Sequence, residues 1–577
     1  MRDYLREHTN PPVFLGSAAV VLGFLLWGIV SPSTVSTASS NTLAFISDKF
    51  EWLYIFGASG FVVFVLALMF SRYGRIKLGP NDSEPEYSNL SWFAMLFTAG
   101  MGIGLVFYAV SEPVSHYLHP PTGPGGLDAG DSSGQVAQDA MNYTFFHWGL
   151  HPWAIYIVLG AALGYFSFRR GLPLRPASAF YPLLKDRIYG WPGAVVDILA
   201  VFGTLFGLAT SLGIGGQQVG AGLNELFGIP NTTTTQVLIV CAITSIAVVS
   251  VMLGVDKGIR NLSLANLWLA FALMVFVFAV GPSLDIVNSL TSNIGNYVQS
   301  LPSLGMETFS TGQPSPEWDG DPQGWQDFWT IFYWGWWISW SPFVGMFLAR
   351  ISYGRTLRSF IAGALFAPVG ASMVWLTVFG STSLEILQND PQNELLDADA
   401  VDGQPAKALF LLFDQLPIGG IIAGLASLVV VVVVVLFFAT SSDSGSLVVD
   451  ILTNGGDPNP MWQQRLFWAI TEGAVAAILL IVGATSGEGT LAALQAASIA
   501  AGLPFCVVLI FMAVGLMKGL REEDIQRPRI QEPPPLAGMR EYSERTRGPK
   551  ATETGPTSAF GSSDDDSSQE RVGEPVD

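Results

Sequence analysis

Apolar runs, each of about 20 residues, recur along the whole chain and alternate with short polar segments. A run of this length crosses the ~30 Å hydrocarbon layer of a membrane as one helix. The pattern therefore predicts an all-α integral membrane protein with twelve transmembrane helices. The predicted spans are 12–32, 51–71, 90–111, 144–166, 191–216, 233–254, 263–284, 326–349, 356–379, 418–440, 464–484 and 491–517. No small-residue cleavage signature follows the first run, so we interpret it as a retained span and not a signal peptide.

The distribution of Lys and Arg predicts the orientation of these spans. If the N-terminus lies inside the cell, every basic residue except Lys49 and Lys407 falls in or beside a segment on the inner side. Basic residues concentrate on the cytoplasmic side of membrane proteins. An error of one in the number of spans would destroy this alternation, so we predict a plasma-membrane protein with both termini in the cytoplasm.

Composition agrees with a membrane protein, because 50% of the 577 residues are hydrophobic and only 13% are charged. The net charge of −19 and the acidic predicted outer loops suit a halophilic source, although they are also compatible with a simply acidic surface. Cys241 and Cys506 lie inside apolar runs and are expected to be core residues.

The chain divides into three parts by composition. Residues 1–11 are a short cytoplasmic lead, 12–517 form the membrane domain, and 518–577 are an acidic, Pro-rich cytoplasmic tail that we expect to be disordered. Within the domain, apolar residues at helical spacing in 286–312 predict an amphipathic helix on the outer surface, with a packed loop as the alternative. These residues are Ile286, Val287, Leu290, Ile294, Val298 and Leu301.

The sequence lacks the motifs of the common enzyme classes: it has no P-loop, no Gly-x-Ser-x-Gly and no metal fingerprint. We expect neither an enzyme nor a primary pump, and neither a cofactor nor a nucleic-acid partner. Uphill transport would draw on an ion gradient. His147 and His151 share one helix face, but no acid or Cys joins them at helical spacing. A packing or hydrogen-bonding role is therefore favoured over a metal site.

The third predicted span contains three glycines at alternate positions, Gly100, Gly102 and Gly104, in TAGMGIG (98–104). Each weakens a helix by roughly 1 kcal/mol relative to Ala. Small residues at this spacing can let helices pack closely. Alternatively, the helix unwinds here and exposes backbone groups that bind a cation or a substrate, as in coupled carriers.

A run of hydroxyl side chains ends the tenth predicted span in FFATSSDSGS (437–446), where Thr440, Ser441, Ser442 and Ser444 occur. Hydroxyl and carbonyl oxygens suit a hard cation such as Na⁺. In the alternative interpretation these hydroxyls bond back to their own helix.

Two sets of aromatic residues lie near the middle of predicted spans, where an interfacial role does not explain them. Trp337 and Trp340 share a face of the eighth span, and Trp153 and Tyr156 share a face of the fourth, with Trp148 nearby. If these faces meet, their rings form a box for a quaternary ammonium group, which binds through cation–π attraction without a buried carboxylate. Aromatic packing between helices is the alternative.

The sequence resembles the betaine–choline–carnitine transporter family. The resemblance is carried by AGMGIGLVFYAVSEPVSHY (99–117), HWGLHPWAIY (147–156), FYWGWWISWSPFVGMFLARISYGR (332–355) and FFATSSDSGS (437–446), and it covers roughly residues 10–517. It implies a LeuT-like fold of two inverted five-helix repeats, spans 3–7 and 8–12, behind two extra N-terminal helices. It also implies a homotrimer in the lipid bilayer that takes up glycine betaine with Na⁺ by alternating access, as osmoprotection.

The resemblance also implies the site residues. The substrate would contact Trp148, Trp153, Tyr156, Trp337, Trp340, Gly100, Met101, Gly102 and Gly104, with Trp334 and Trp336 at the outer end of the pathway. One Na⁺ would be held by Thr98, Met101, Phe437, Thr440 and Ser441, and a second near Phe343 with Thr204, Thr210 and Ser211 as candidate partners.

Two features refine these expectations. Position 104 is a glycine, as in similar glycine-betaine carriers, whereas proton-coupled choline carriers of the family have an aspartate there. The acidic tail departs from the basic, helical C-terminal domain of osmotically regulated members, so sensing of that type is not expected. The alternatives are a carrier for choline or another quaternary ammonium solute, a solute channel, and a membrane sensor that binds betaine.

Overall fold

The computed structural model describes residues 9–100, 102–121, 133–253, 256–309, 322–390, 393, 395, 404–458, 461–486 and 490–523. These residues are helical apart from connecting segments and one isolated β-bridge, Lys77 with Thr356. The main helices are α1 (Pro11–Val30), α2 (Pro32–Phe70), α3 (Asn89–Gly100), α4 (Ile103–Leu118), α5 (Ser133–Trp148), α6 (Leu150–Leu163), α7 (Trp191–Phe227), α8 (Thr233–Leu253), α9 (Asp256–Val280), α10 (Ser283–Leu304), α11 (Phe332–Arg350), α12 (Leu357–Leu376), α13 (Ala408–Gln415), α14 (Gly420–Thr453), α15 (Trp462–Ser486) and α16 (Thr490–Glu522).

The structure confirms an all-α membrane protein. Among the described residues, ten helices are long and apolar enough to cross a membrane. They correspond to all the predicted spans except the third and the eighth. The third is divided between α3 and α4, and the eighth is α11, which is rich in tryptophan and serine. The number twelve and the inverted repeats therefore stay predictions.

The third span breaks at its glycines. Helix α3 ends at Gly100, and Gly102 is the extended residue that precedes α4, with φ −142° and ψ 177°. Glycine destabilises a helix interior because it loses most backbone entropy on folding. Of the two alternatives for this motif, the described backbone shows an interrupted helix.

The fourth span breaks at Gly149, between α5 and α6. A Cβ at this position would collide with the Phe145 carbonyl and lie 2.6 Å from the Tyr297 hydroxyl, so only glycine fits. The break frees the amide N–H of Leu150, which donates to that Tyr297 hydroxyl at 3.0 Å. Pro152 follows in the first turn of α6, where its missing N–H costs no helical bond.

Tyr297 belongs to α10, so the predicted amphipathic helix exists, but it ends at Leu304 and buries only part of the predicted apolar set, with Leu290 and Leu301 half-buried against the core. Its buried residues are Ile286, Asn293 and Tyr297. Val298 is 63% exposed and Val287 49% exposed. Helix α10 packs against α5, and Tyr297 meets the Gly149 break there.

Helix α11 lies at the centre of the molecule and packs against α6, α7 and α16. Two glycines of α7 permit this approach. A Cβ on Gly203 would lie 2.8 Å from the Ser339 carbonyl oxygen, and one on Gly207 would lie 3.0 Å from the Trp340 amide nitrogen. Such small-residue contacts are how helices approach closely in membranes. They position the tryptophans of α11 against the glycine break and α6.

The membrane domain extends beyond its predicted end at residue 517, because α16 continues to Glu522. The carboxylate of Glu523 then accepts hydrogen bonds from Arg169 Nε at 3.0 Å and Nη2 at 2.6 Å. Arg169 ends the helical segment that continues α6. The last helix is thus joined to the fourth span. Of the tail predicted to be disordered, 518–577, residues 518–522 belong to α16, and 524–577 lie outside the described residues.

Candidate functional site: an aromatic box beside a glycine break

Five aromatic side chains from α5, α6 and α11 converge in the middle of the bundle. We call Trp148, Trp153, Tyr156, Trp337 and Trp340 the ring box. Ring centroids of Trp148 and Trp337 are 4.9 Å apart, and Tyr156 lies 6.5 Å from Trp337 and 6.3 Å from Trp340. Trp153 joins through Tyr156 at 5.6 Å. These pairs are edge-to-face, which is a favoured arrangement of contacting aromatic rings.

The glycine break lies directly against this box. A Cβ on Gly104 would lie 2.5 Å from Trp336 Cη2 and 2.9 Å from Trp148 Cη2. A Cβ on Gly102 would lie 3.7 Å from Trp340 Cη2, an ordinary contact distance. Glycine at 104 is therefore required by the closeness of two indoles. The break and the box form one site, although Met101 and the side chain of Thr98 lie outside the described part of the chain.

The two tryptophans predicted for the outer pathway occupy different surroundings. Trp334 stacks on His151 with a centroid distance of 5.0 Å, away from the ring box. Trp336 stacks on Trp337 at 4.5 Å and donates through Nε1 to the Gly207 carbonyl at 3.2 Å. Trp336 is thus a neighbour of the ring box that also ties α11 to α7.

Two indole groups of the ring box differ in how they are held. Trp337 Nε1 donates to the His147 carbonyl at 3.0 Å. Trp340 is half-buried, and its Nε1 meets no acceptor among the described residues. The Trp340 N–H is therefore available to a ligand carboxylate, whereas the Trp337 ring is fixed by the backbone.

Behind the ring box, Glu112 of α4 is fully buried and receives four hydrogen bonds. His147 Nδ1 lies 2.7 Å and His116 Nε2 3.3 Å from its Oε1. Trp148 Nε1 donates to Oε2 at 2.7 Å, and the Tyr333 hydroxyl donates to the same oxygen at 2.5 Å. One carboxylate thereby fixes side chains of α4, α5 and α11. These donors also satisfy the hydrogen-bonding capacity of the carboxylate, which burial requires.

The ligand atoms of Glu112, His116 and His147 lie within 4.8 Å of one another, so they could hold a divalent metal ion. In this structure the same atoms are engaged in mutual hydrogen bonds, and His147 Nε2 is also bonded to Thr330 Oγ1 at 3.0 Å. His147 therefore has the hydrogen-bonding role expected from the sequence, as part of a network that holds helices together. His151 instead bonds to Ser59 Oγ at 3.1 Å, so the two histidines have separate partners.

Glu112 is not among the site residues predicted from the sequence. A signal was present, because an acid in a membrane-spanning segment is costly unless it is paired and is commonly functional. Its partner His147 could not be assigned by spacing, since the two residues come from different helices, α4 and α5.

The predicted first sodium site falls on α14. Thr440 Oγ1 donates to the Leu436 carbonyl at 2.8 Å, and Ser441 is half-buried. The Thr440 hydroxyl is thus bonded back to its own helix, but its oxygen keeps lone pairs that can coordinate a cation. Phe437 is buried one turn earlier.

The residues of the second predicted sodium site have the following contacts. Phe343 lies 5.7 Å from Trp340 between ring centroids, next to the ring box. Thr204 Oγ1 donates to Ala200, and Ser211 Oγ to Gly207. Thr210 Oγ1 lies 2.7 Å from Ser498 Oγ and bonds to the Leu494 carbonyl at 3.0 Å, so it joins α7 to α16.

The helices and the site define a multi-pass membrane protein with a central aromatic box. The chain belongs to the BCCT family, the betaine/carnitine/choline family transporters, whose model matches residues 12–525. This family consists of transporters and not enzymes.

Curated relatives cover nearly the whole domain. A probable glycine betaine transporter of Desulfitobacterium hafniense is 41% identical over 88% of this chain and 97% of its own. The glycine betaine transporter OpuD of Bacillus subtilis is 41% identical over 89% and 94%. An osmo-dependent choline transporter of Acinetobacter baylyi is 40% identical over 90% and 73%. A solved manganese transporter mutant of Eremococcus coleocola matches with 15% identity and a TM-score of 0.37 over 76% and 82%, too distant to support an inference.

Proposed function

We propose that this protein is a secondary active transporter that imports glycine betaine together with Na⁺ and so protects the cell against osmotic stress. The observation that most supports glycine betaine as the substrate is the convergence of indole and phenol rings from α5, α6 and α11 beside the glycine break. The names of the relatives in Desulfitobacterium hafniense and Bacillus subtilis support the same substrate.

The trimethylammonium group binds to the ring box because it cannot donate a hydrogen bond and is attracted by electron-rich ring faces. The ring spacings of 4.9–6.5 Å correspond to rings in direct contact. Admission of the substrate therefore requires the rings to separate. The substrate carboxylate meets the free Trp340 N–H and the backbone N–H groups of the interrupted helix near Gly102.

Sodium supplies the driving force in this proposal. The first ion is held where the backbone of 98–101 approaches Phe437, Thr440 and Ser441, and a second lies near Phe343 with Thr204 and Thr210 as partners. Oxygen ligands without formal charge are suitable for Na⁺. Binding of the ion orders the break, after which the helices carrying the ring box move against α7 and α14 to alternate access.

The proposed assembly is a homotrimer in the plasma membrane with both termini in the cytoplasm. The placement of nearly all Lys and Arg on one side supports this orientation.

Choline is the second candidate substrate, since it carries the same trimethylammonium group and the Acinetobacter baylyi relative is named a choline transporter. Choline lacks the carboxylate. A site with an unpaired indole N–H and exposed backbone N–H groups favours betaine for that reason.

Radiolabelled glycine betaine uptake into proteoliposomes tests the proposal. We expect saturable uptake that requires an inward Na⁺ gradient and is inhibited more strongly by excess betaine than by choline, carnitine or proline. Uptake that neither saturates nor responds to Na⁺ would indicate a channel. Betaine binding without any uptake would indicate a sensor.

A further inference from the structure

Glu472, on α15, is a fully buried carboxylate that the proposed transport site does not use. Helix α15 packs against α7, α8, α14 and α16. Among the described residues, neither carboxylate oxygen of Glu472 meets a hydrogen-bond donor with ordinary geometry. Burial of an ionised carboxylate without a partner is prohibitively costly, so this group needs a bound cation or a proton.

Helix α14 places two oxygen-bearing side chains next to Glu472. The Ser442 hydroxyl lies beside the Glu472 carboxylate, is itself buried, and makes no hydrogen bond of ordinary geometry with it or with another described residue. Asp443 is the charged neighbour that acts on Glu472, and its sign is the same. Two unsatisfied oxygen groups therefore face each other between α14 and α15.

The positive charge of Arg465, near this site, is already paired with Asp443. Arg465 Nη2 lies 2.8 Å from Asp443 Oδ2 and also donates to the Asp443 carbonyl at 3.2 Å. This pair neutralises Asp443 rather than Glu472. The remaining ligand set, a carboxylate and a hydroxyl, is hard oxygen chemistry that selects a small cation.

Ser442 directly follows Thr440 and Ser441 in the hydroxyl run of α14. Successive residues of a helix are rotated by about 100°, so neighbouring hydroxyls face different sides. Thr440 bonds back toward Leu436, whereas Ser442 faces α15. The hydroxyl run of α14 thus contributes side chains to two places: the proposed first sodium site, and the region between α14 and α15.

We propose that Glu472 and Ser442 form a further cation-binding site, between α14 and α15 and separate from the two proposed sodium sites, which takes a monovalent cation, either Na⁺ or a proton. Its role as a coupling site rests on the proposed transport function, but cation binding itself does not.

Uptake by the full-length protein in proteoliposomes tests the role of the site. Glu472→Gln keeps the side-chain size and removes the charge, and Glu225→Gln, at the exposed end of α7, is the matched control. If the cation is Na⁺, Glu472→Gln raises the half-saturating Na⁺ concentration by about tenfold or more, because a contact to a charged group is lost. Betaine KM at saturating Na⁺ stays unchanged.

If the cation is a proton, wild-type uptake at saturating Na⁺ depends on pH, because protonation of Glu472 then accompanies transport. Glu472→Gln removes that dependence, and Glu225→Gln retains it. A Glu472→Gln protein with wild-type Na⁺ and pH dependence overturns the proposal.

Infrared difference spectroscopy of the purified protein provides a readout that requires neither transport nor the Glu472→Gln variant. Exchange of KCl for NaCl, or a change of pH, is expected to alter a carboxylic-acid C=O band of the wild-type protein. Ser442→Ala is expected to shift that band, which assigns it to Glu472. No band change, or a band insensitive to Ser442→Ala, overturns the site. Failure of wild-type betaine uptake would instead contradict the transport function alone.

Discussion

The indole Nε1 of Trp148 donates a hydrogen bond of 2.7 Å to Glu112 Oε2. The orientation of a ring-box residue on α5 is therefore fixed by a carboxylate on α4. Because Tyr333 of α11 donates to the same oxygen, Glu112 links α5 and α11, two of the three helices that supply the ring box, to α4, the helix that follows the glycine break.

Replacement of this carboxylate is expected to weaken substrate binding without direct contact with the substrate. Glu112→Gln turns one acceptor into a donor and leaves at least one buried N–H or O–H unpaired, which costs about 1–3 kcal/mol. We predict that the dissociation constant for glycine betaine rises about 10- to 100-fold. Tryptophan fluorescence titration of the purified protein measures it.

Tyr333→Phe is the matched control for Glu112→Gln, because it removes one donor and leaves the other three hydrogen bonds of the carboxylate in place. A smaller loss of affinity is expected. Wild-type affinity in Glu112→Gln would show that Trp148 is held by packing alone.

The two glycines that face tryptophans are expected to respond differently to alanine. Gly104→Ala places a methyl group 2.5 Å from the Trp336 ring and 2.9 Å from the Trp148 ring, so both indoles must move. Among the described residues, a methyl group in Gly102→Ala would contact Trp340 alone, at 3.7 Å, and the extended backbone of Gly102 accepts alanine. Betaine KM should rise strongly in the first variant and little in the second. Equal effects would contradict the close contact at Gly104.

Sodium dependence should be sensitive to the hydroxyls of α14. Thr440→Ala combined with Ser441→Ala is predicted to raise the half-saturating Na⁺ concentration by about tenfold, because two oxygen ligands are removed. Thr377→Ala is the control, since Thr377 Oγ1 also bonds back to its own helix, to the Met373 carbonyl at 2.7 Å. Uptake measured against Na⁺ concentration distinguishes the double variant from the Thr377→Ala control. Unchanged Na⁺ dependence in the double variant would reject this site.

The Arg169–Glu523 pair is expected to stabilise the end of the domain. The exposed fractions of the two side chains are 3% and 4%, and loss of one partner from a buried pair costs about 3–5 kcal/mol. Bonds from Arg169 to Asn81 and to the Gly79 carbonyl reduce this penalty. Glu523→Gln should lower the apparent Tm in detergent by several degrees. Glu522→Gln, one residue earlier and exposed, should not.

A truncated chain that ends at Glu523 should retain both the Tm and betaine uptake, because it keeps this pair. Loss of uptake on removal of 524–577 alone would favour a sensor or regulatory role for the tail.

Much of the helical architecture could be predicted because membrane helices are specified locally. An apolar run of sufficient length must form its own hydrogen bonds in lipid, so α1, α7 and α14 follow directly from the sequence. The break at Gly102 is equally local, since glycine weakens the helix wherever it packs.

Contacts between distant segments could not be predicted in the same way. Tyr297 of α10 caps the Gly149 break, a contact that the apolar pattern of 286–312 did not indicate. Glu112 obtains its partners from α5 and α11, and Glu472 faces Ser442 across two helices. In each case the signal lies in the packing of helices and not in spacing along one of them.

The most direct test of the central claim compares glycine betaine with tert-butylacetate, which has the same shape and carboxylate but no positive charge. Isothermal titration of the purified protein measures both affinities, with Trp340→Leu as the site variant and Trp268→Leu, exposed on α9, as its control. We predict that betaine binds about tenfold or more tightly than tert-butylacetate, and that Trp340→Leu abolishes the difference whereas Trp268→Leu preserves it. Equal affinity of the wild-type protein for the two compounds would contradict recognition of a cation by the ring box.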